Sequence, residues 1–277
     1  MRKIKNYITI QKLIILFFVF LITLNADQKI VNEKINLQLK WFTSFQFAGY
    51  YMALEKGYYS EAGLDVNIRE RDPFKNNIDQ VIEGVADYGI SDSSLLLHRA
   101  RGKRVQIMAS FFQHSPLVFI SKKDSGIVSP FELKGKIVSF QEGIDDASLL
   151  AMLLDSNITS KDYIYKPLDF TSQDFIDGKV DVISAYLGDQ PYFMKEKGIA
   201  VNIINPLNYG IDLYGDNLFS TEKKLKKNPM QAKKFLDAST RGWKYALEHK
   251  EETVKILKEK YAAKSSINHL LYEADSI

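Results

Sequence analysis

No cysteine occurs anywhere in the 277 residues, which excludes disulfide staples, thiolate metal sites, a cysteine nucleophile and a lipid-modified N-terminal cysteine. Stability must then come from the core alone. Histidine is scarce too: His98, His114, His249 and His269 are scattered without metal-ligand spacing. Each reads as an ordinary polar residue, and no metal site is expected. Also missing are a Gly-x-Ser-x-Gly elbow, a phosphate-cradling Gly-x-x-x-x-Gly-Lys loop and a dinucleotide fingerprint, so no enzyme reading starts with a nucleophile or a cofactor in hand. A strong charge of one sign is lacking as well. The formal net charge is only +3, with lysine and arginine dispersed apart from the run Lys223, Lys224, Lys226 and Lys227, which reads as a solvated helix start. Nothing resembles the basic stripe that grips nucleic acid. Beyond residue 24 no run is apolar enough to cross a bilayer.

What is present is ordinary for a globular chain: 45% hydrophobic and 26% charged residues make disorder the wrong default. At the start, Arg2, Lys3, Lys5 and Lys12 precede an apolar stretch over 13–24 that is short for a membrane span. Residues 1–26 therefore read as a signal peptide, with Ala26 offering a small residue for cleavage before Asp27. Leu24 fits the small-residue rule poorly, so an uncleaved anchor is the alternative. Either way the expected location is periplasmic or otherwise extracytoplasmic.

The mature part alternates strands and helices. Residues 35–40 alternate apolar and polar as a half-buried strand does, and Phe45, Ala48 and Met52 give the next segment a helical inner face stopped by Gly57. A strand over 64–68 precedes a helix with Ile78, Val81, Ile82 and Val85 at i, i+3, i+4 and i+7. Strands over 88–90, 105–109 and 117–120 follow, with a helix over 95–101 between the first two. Ser129-Pro130-Phe131-Glu132 has the form of a capping box, and a strand over 137–140 leads to a helix over 145–154. Gly178-Lys179-Val180-Asp181 echoes Gly84-Val85-Ala86-Asp87, each run entering a strand through Asp. The echo supports two similarly built lobes. After a strand over 201–204, the turn-rich 205–210 is a candidate hinge, and everything beyond reads as helix. The expected architecture is α/β, two-lobed: 27–115 with 205–277 as one lobe and 116–204 as the other. Residues 270–277 read as an interrupted helix, so a piece of a longer protein is expected.

In open α/β sheets ligands gather beyond the carboxyl ends of strands. Those positions hold Trp41 with its neighbours Gln46, Phe47 and Tyr50, then Asp92, then Gln141 and Glu142, then Tyr186 and Asp189. Aromatic planes beside neutral or acidic acceptors suit a flat, nitrogen-rich heterocycle, since stacking on an aromatic is worth about 1–3 kcal/mol. A carboxylate accepting an exocyclic amino N–H adds about 1.5–3 kcal/mol, which a sulfonate or phosphate could not exploit. Blander readings stand beside these: Trp41 as a core or rim aromatic, Asp92 and Asp189 as helix caps, Glu142 as a solvated loop acid.

The stretches Leu37-Gln38-Leu39-Lys40-Trp41-Phe42, Gln46-Phe47-Ala48-Gly49-Tyr50-Tyr51 and Glu55-Lys56-Gly57-Tyr58-Tyr59 resemble the thiamine-pyrimidine-precursor binding family. Ser115-Pro116-Leu117-Val118, Leu133-Lys134-Gly135-Lys136, the run Asn208-Tyr209-Gly210-Ile211-Asp212-Leu213-Tyr214-Gly215-Asp216, and Arg241-Gly242-Trp243-Lys244-Tyr245-Ala246 extend the likeness. The resemblance implies a type II periplasmic binding fold, with two mixed-sheet lobes, two hinge crossings and a cleft between them. It is related to the thiamine pyrimidine synthases, which need a lysine, a histidine and a cysteine-rich motif. The regions 88–97 and 209–219 offer none of these, so a binding protein without catalysis or cofactor is expected. In that reading Trp41 and either Tyr186 or Tyr209 sandwich a pyrimidine-like ring, with Asp92, Glu142, Asp189 and Asp212 as polar contacts. A synthase-like enzyme or a sulfonate or other anion binder is the alternative. The expected partners are a small-molecule ligand and a membrane permease or sensor output domain, the chain being a monomer.

Overall fold

In the computed structural model, which describes residues 32–141, 146–261 and 263–277, the echoed runs at Gly84 and Gly178 play the same part. Both glycines turn in the left-handed region, with φ of +79° and +72°, which a side chain would resist. Asp87 Oδ2 then accepts the Asn36 N–H at 2.9 Å, and Asp181 Oδ2 accepts the Ile137 N–H at 2.8 Å. Each aspartate thus ties the start of one strand to the start of its parallel neighbour. The signal-peptide reading of 1–26 and the site reading of Glu142 fall outside the described residues.

The strands so anchored are β1 (Glu33–Gln38) with β3 (Tyr88–Ser91), and β6 (Ile137–Phe140) with β8 (Val182–Tyr186). The others are β2 (Leu64–Arg69), β4 (Val105–Phe112), β5 (Leu117–Lys122), β7 (Ile164–Pro167), β9 (Val201–Ile204) and β10 (Gly215–Thr221). They form two five-stranded sheets, ordered β2-β1-β3-β10-β4 and β7-β6-β8-β5-β9. Both are mixed. β10 runs antiparallel to β3 and β4, as β5 does to β8 and β9. The two-lobed α/β fold is therefore present, each lobe repeating one strand order. Between the sheets the chain passes once over 113–116 and once over 205–214, and the Ser115 N–H donates to the Leu213 carbonyl at 2.7 Å, holding the two crossings side by side.

β10 corrects the expectation that everything past 210 is helical. The strand lies in the middle of its sheet and carries buried polar residues: Asp216, Asn217 and Ser220 are each at most 2% exposed. Its polarity hides it from hydrophobic patterning, and neighbours satisfy it: Ser110 bonds Asn217 at 2.5 Å, and Ser220 donates to the Asp87 carbonyl at 2.6 Å. Where the core is apolar the pattern is plain. In β5, Leu117 and Phe119 enter one cluster while Val118 and Ile120 enter another on the opposite face, as a strand covered on both sides requires. The capping box forms at Ser129, whose N–H is bound by Glu132 at 2.7 Å, though only a 3-10 turn follows. Among the described residues, no helix is long and apolar enough to cross a membrane.

The long helix Pro229–Glu248 crosses the helix Ala48–Glu55 at contact distance because glycines meet there. A Cβ on Gly242 would lie 2.0 Å from the Gly49 carbonyl oxygen, and one on Gly49 would lie 2.1 Å from the Trp243 ring. The first obstacle is backbone, which cannot turn aside. Alanine favours a helix interior over glycine by about 1 kcal/mol, so any net loss reports the crossing itself. Gly242→Ala is expected to destabilise the fold by about 1–3 kcal/mol or more, read as a lower urea midpoint in chemical unfolding.

Candidate functional site

The carboxyl ends of β1, β3 and β8 converge on one buried charge. Lys40, two residues past β1, extends its ammonium to Asp92 Oδ1 and Asp216 Oδ1, each at 2.6 Å. Asp92 follows β3 and Asp216 sits near the start of β10. From the other sheet, Tyr186 at the end of β8 brings its hydroxyl onto Lys40 Nζ, 2.8 Å from Asp92 Oδ1 and 3.0 Å from Asp216 Oδ1. The single phenolic proton serves one carboxylate at a time. Gln46 donates to Asp216 Oδ1 at 3.0 Å, while Asp216 Oδ2 is buried without a partner.

One ammonium facing two carboxylates leaves the cluster short of positive charge. For Asp216, burial pushes the pKa up to about 6, helped by the charge of Asp92 and opposed by Lys40. For Lys40, burial acts to lower the pKa, but the charges of Asp216 and Asp92 and their hydrogen bonds outweigh it, and the value is raised. A buried cation is tolerated when partnered this way.

Outside this cluster lies a small inner cavity lined by Lys40, Trp41, Gln141, Ser172, Asp189 and Gln190 among others. It adjoins a larger cleft of about 1250 Å³ that shares Trp41, Gln141, Asp189 and Gln190 and continues past Phe42, Arg71 and Phe170. The Arg71 N–H holds the Trp41 carbonyl at 3.1 Å. Trp41 meets Phe170 across the cleft with ring centroids 5.3 Å apart and tilted by 39°. A third ring stacked between them would need about 7 Å, twice the contact distance of carbon. As they stand the two rings leave no room for a planar guest between them, and one would need them to part.

Of the residues expected at the site, the structure brings Trp41, Gln46, Asp92, Gln141, Tyr186 and Asp189 together along these cavities. Asp92 is no helix cap; its side chain serves Lys40. Asp189 stands before the helix Gln190–Glu196 without capping it through its side chain. Phe47 and Tyr50 are corrected to core residues. Their segment lies between a sheet and the long helix, so nearly every side chain points into packing, and Tyr50 meets Phe111 and Trp243 edge to face. Tyr209 is corrected too: it packs with Ile211 against the core of the second sheet. Asp212 is exposed and pairs with His114 Nδ1 at 2.8 Å. Sequence reasoning did not single out Lys40, Phe170 or Asp216. Lys40 sits beside Trp41 and Phe170 just beyond β7, so the strand-end rule reaches both once β7 is known.

The sequence profile of a family described as NMT1/THI5 like matches residues 44–253. Riboflavin-binding protein RibY of Chloroflexus aurantiacus is 26% identical over 226 residues, covering 79% of this chain and 64% of the relative. The chain thus spans less than two thirds of that protein. The formylaminopyrimidine-binding protein of Halalkalibacterium halodurans is 23% identical, covering 88% of this chain and 76% of its own. The 4-amino-5-hydroxymethyl-2-methylpyrimidine phosphate synthase of Legionella pneumophila is 25% identical, covering 82% and 73%. Among solved structures, the alkanesulfonate-binding protein SsuA of Xanthomonas axonopodis pv. citri superposes with a TM-score of 0.70 at 15% identity, covering 88% and 83%. That likeness concerns the fold.

The raised pKa of Asp216 has a signed consequence. Between 3.8 and about 6 the folded state holds a proton that the unfolded chain has released, so this group's contribution is greatest at low pH and is lost as pH rises through about 6. Asparagine tolerates the left-handed φ of +46° found there. Measured against Asp216→Asn, the wild type is expected to lose stability as pH rises from about 4 to above 6, read from thermal midpoints of both proteins across that range.

Proposed function

The chain belongs to the NMT1/THI5-like family, and from that premise we propose that it is an extracytoplasmic binding protein whose lobes close on a small planar heterocycle. A pyrimidine bearing amino groups is the first candidate. The observation that carries this reading is Tyr186, which reaches from the second sheet into the Lys40, Asp92 and Asp216 cluster of the first. A contact that exists only when the lobes meet is what a closing receptor needs, because a ligand shifts such an equilibrium only through differential affinity for the two states.

The chemistry of the lining supports the ligand class. Trp41 and Phe170 offer aromatic faces from opposite sheets. Gln141 and Gln190 bring N–H donors for ring nitrogens or carbonyls, and Asp92 brings a carboxylate acceptor for amino groups. An aminopyrimidine presents both kinds of partner in one plane. Two relatives are named for binding nitrogen-rich rings, a flavin and a pyrimidine. The paired crossings over 113–116 and 205–214 are placed to act as the hinge, dividing a lobe built from both parts of the chain from a lobe of its middle. Such a receptor delivers its solute to a membrane permease of the ABC type, or passes the bound signal to an output domain. A pyrimidine-forming reaction is less well served: Lys40, the one lysine on the inner cavity among the described residues, is held as a cation by two carboxylates.

Calorimetric titration of the purified chain with aminopyrimidines, riboflavin, thiamine, nucleobases and alkylsulfonates tests the proposal. Saturable heat from a planar heterocycle is the expected outcome, and heat from sulfonates alone overturns it. Trp41→Ala is expected to weaken that binding at least about tenfold, roughly 1.4 kcal/mol, while circular dichroism shows the fold retained.

A further inference from the structure

A second polar cluster lies beside the cleft, and the proposed ligand does not use all of it. Asp189, from the turn after β8, faces His269 and Glu273 of the helix Ile267–Ser276. Four residues apart, His269 and Glu273 share one helix face. His269 Nε2 lies 3.1 Å from Asp189 Oδ1 and 3.7 Å from Glu273 Oε1, and the three donor atoms fall within 4.8 Å of one another. Donors bound to zinc at about 2.0–2.2 Å in a tetrahedron stand about 3.3–3.5 Å apart. The two separations from His269 lie on either side of that span, and the third is within 4.8 Å.

The atoms aimed into this space have no other hydrogen-bonding use. His269 is 2% exposed and Glu273 is 3% exposed, yet neither ring nitrogen of His269 nor Glu273 Oε1 makes a hydrogen bond. Buried polar atoms in that state cost stability unless something else satisfies them. Both side chains are held in place. The Phe45 N–H donates to Glu273 Oε2 at 2.6 Å, which leaves Oε1 pointing inward. Tyr192 stacks on the His269 ring with centroids 5.1 Å apart. Two carboxylates here face one imidazole. A divalent cation with a neutral imidazole balances two carboxylates.

We propose that Asp189, His269 and Glu273 form a site for a divalent transition-metal cation, zinc foremost, with the fourth position left to water. With no cysteine in the chain, the donors are one nitrogen and two carboxylate oxygens, a set suited to zinc or manganese and not to copper(I). Access is open from two sides: Asp189 and His269 border the large cleft, while Asp189 and Glu273 border a cavity of about 300 Å³. Asp189 belongs to the lobe of the second sheet, and Glu273 is tied to Phe45 of the first. The ion therefore joins the lobes at the rim of the cleft. This inference rests on these three residues and stands or falls apart from the identity of the organic ligand.

The test uses the full chain stripped with a chelator and then titrated with zinc chloride by calorimetry, with cobalt(II) as the absorbing probe. One zinc per chain is expected, with visible cobalt bands of a low-coordinate site. His269→Ala and Glu273→Gln should each weaken zinc at least about tenfold, the scale on which ligand shells act, with the cobalt bands lost. Because those two positions are buried, Asp189→Asn, at a half-buried surface turn, gives the same readout in a chain that circular dichroism shows folded. His114→Ala, at the exposed pair with Asp212, should leave zinc affinity unchanged. No stoichiometric zinc, wild-type affinity in Asp189→Asn, or loss of binding in His114→Ala overturns the proposal.

Discussion

The buried ammonium of Lys40 is the constraint around which the cleft is organised. An unpaired charge at that depth would carry a desolvation penalty of several kcal/mol, so the chain must bring acids to it, and it does so from three strands at once. β1 supplies the lysine, the turn after β3 supplies Asp92, and β10 supplies Asp216. The pairing fixes the register of strands that are far apart in sequence: Asn217 and Leu218 of β10 lie opposite Ser91 and Ile90 of β3, which sets Asp216 beside Asp92. Tyr186 then completes the cluster from the other sheet. Interior architecture and the contact between the two sheets thus depend on the same charge.

The duplicated topology explains why the cluster faces a cleft. In the first sheet β1 and β3 run parallel, in the second β7, β6 and β8 do, and in each an antiparallel strand reached through a crossing pairs with the last of them. Two sheets built to that plan and joined by adjacent crossings bring the carboxyl ends of β1, β3 and β8 together around Lys40, Asp92 and Tyr186. The aspartates at the strand entrances, Asp87 and Asp181, keep the plan in register at its opposite end. Lys224 also pairs with Asp87 at 2.6 Å, so the lysine-rich run is partly a structural clasp.

The lobed plan, most strands and the strand-end position of Trp41, Asp92, Tyr186 and Asp189 were legible in the sequence because apolar alternation and turn residues mark them locally. What escaped was set by packing across the chain. Tyr50 and Phe47 follow a strand end where ligands gather, yet a helix threaded between two layers buries both faces, and only the distant Trp243 reveals that. β10 carries Asp, Asn and Ser into a central strand because they meet partners just past β1, in β4 and at the β3 entrance. No window of local sequence contains those partners. Lys40 looked like the polar end of an alternating strand, and its burial follows only once two acids from 52 and 176 residues away are brought beside it. Phe170 was invisible because β7 is short and mostly exposed.

Besides the Trp41–Phe170 contact, an inner and an outer set of contacts join the lobes. The inner set is the Tyr186 hydroxyl on the charge cluster. The outer set is the helix Ile267–Ser276, which meets the second lobe through the stack of Tyr192 on His269 and Tyr272 and through Ser266 donating to Glu196 at 2.6 Å. Toward the first lobe the same helix buries Leu270 and Ala274 completely in the larger core. Burying a leucine side chain is worth about 1.5–3 kcal/mol, whereas an aromatic pair adds about 0.5–1.5 kcal/mol and a neutral hydrogen bond about 1 kcal/mol. The helix is thus fastened more firmly to the first lobe than to the second. Its apolar anchor, Leu270, thus lies in the first core, while its contacts with Tyr192 and Glu196 are aromatic and polar.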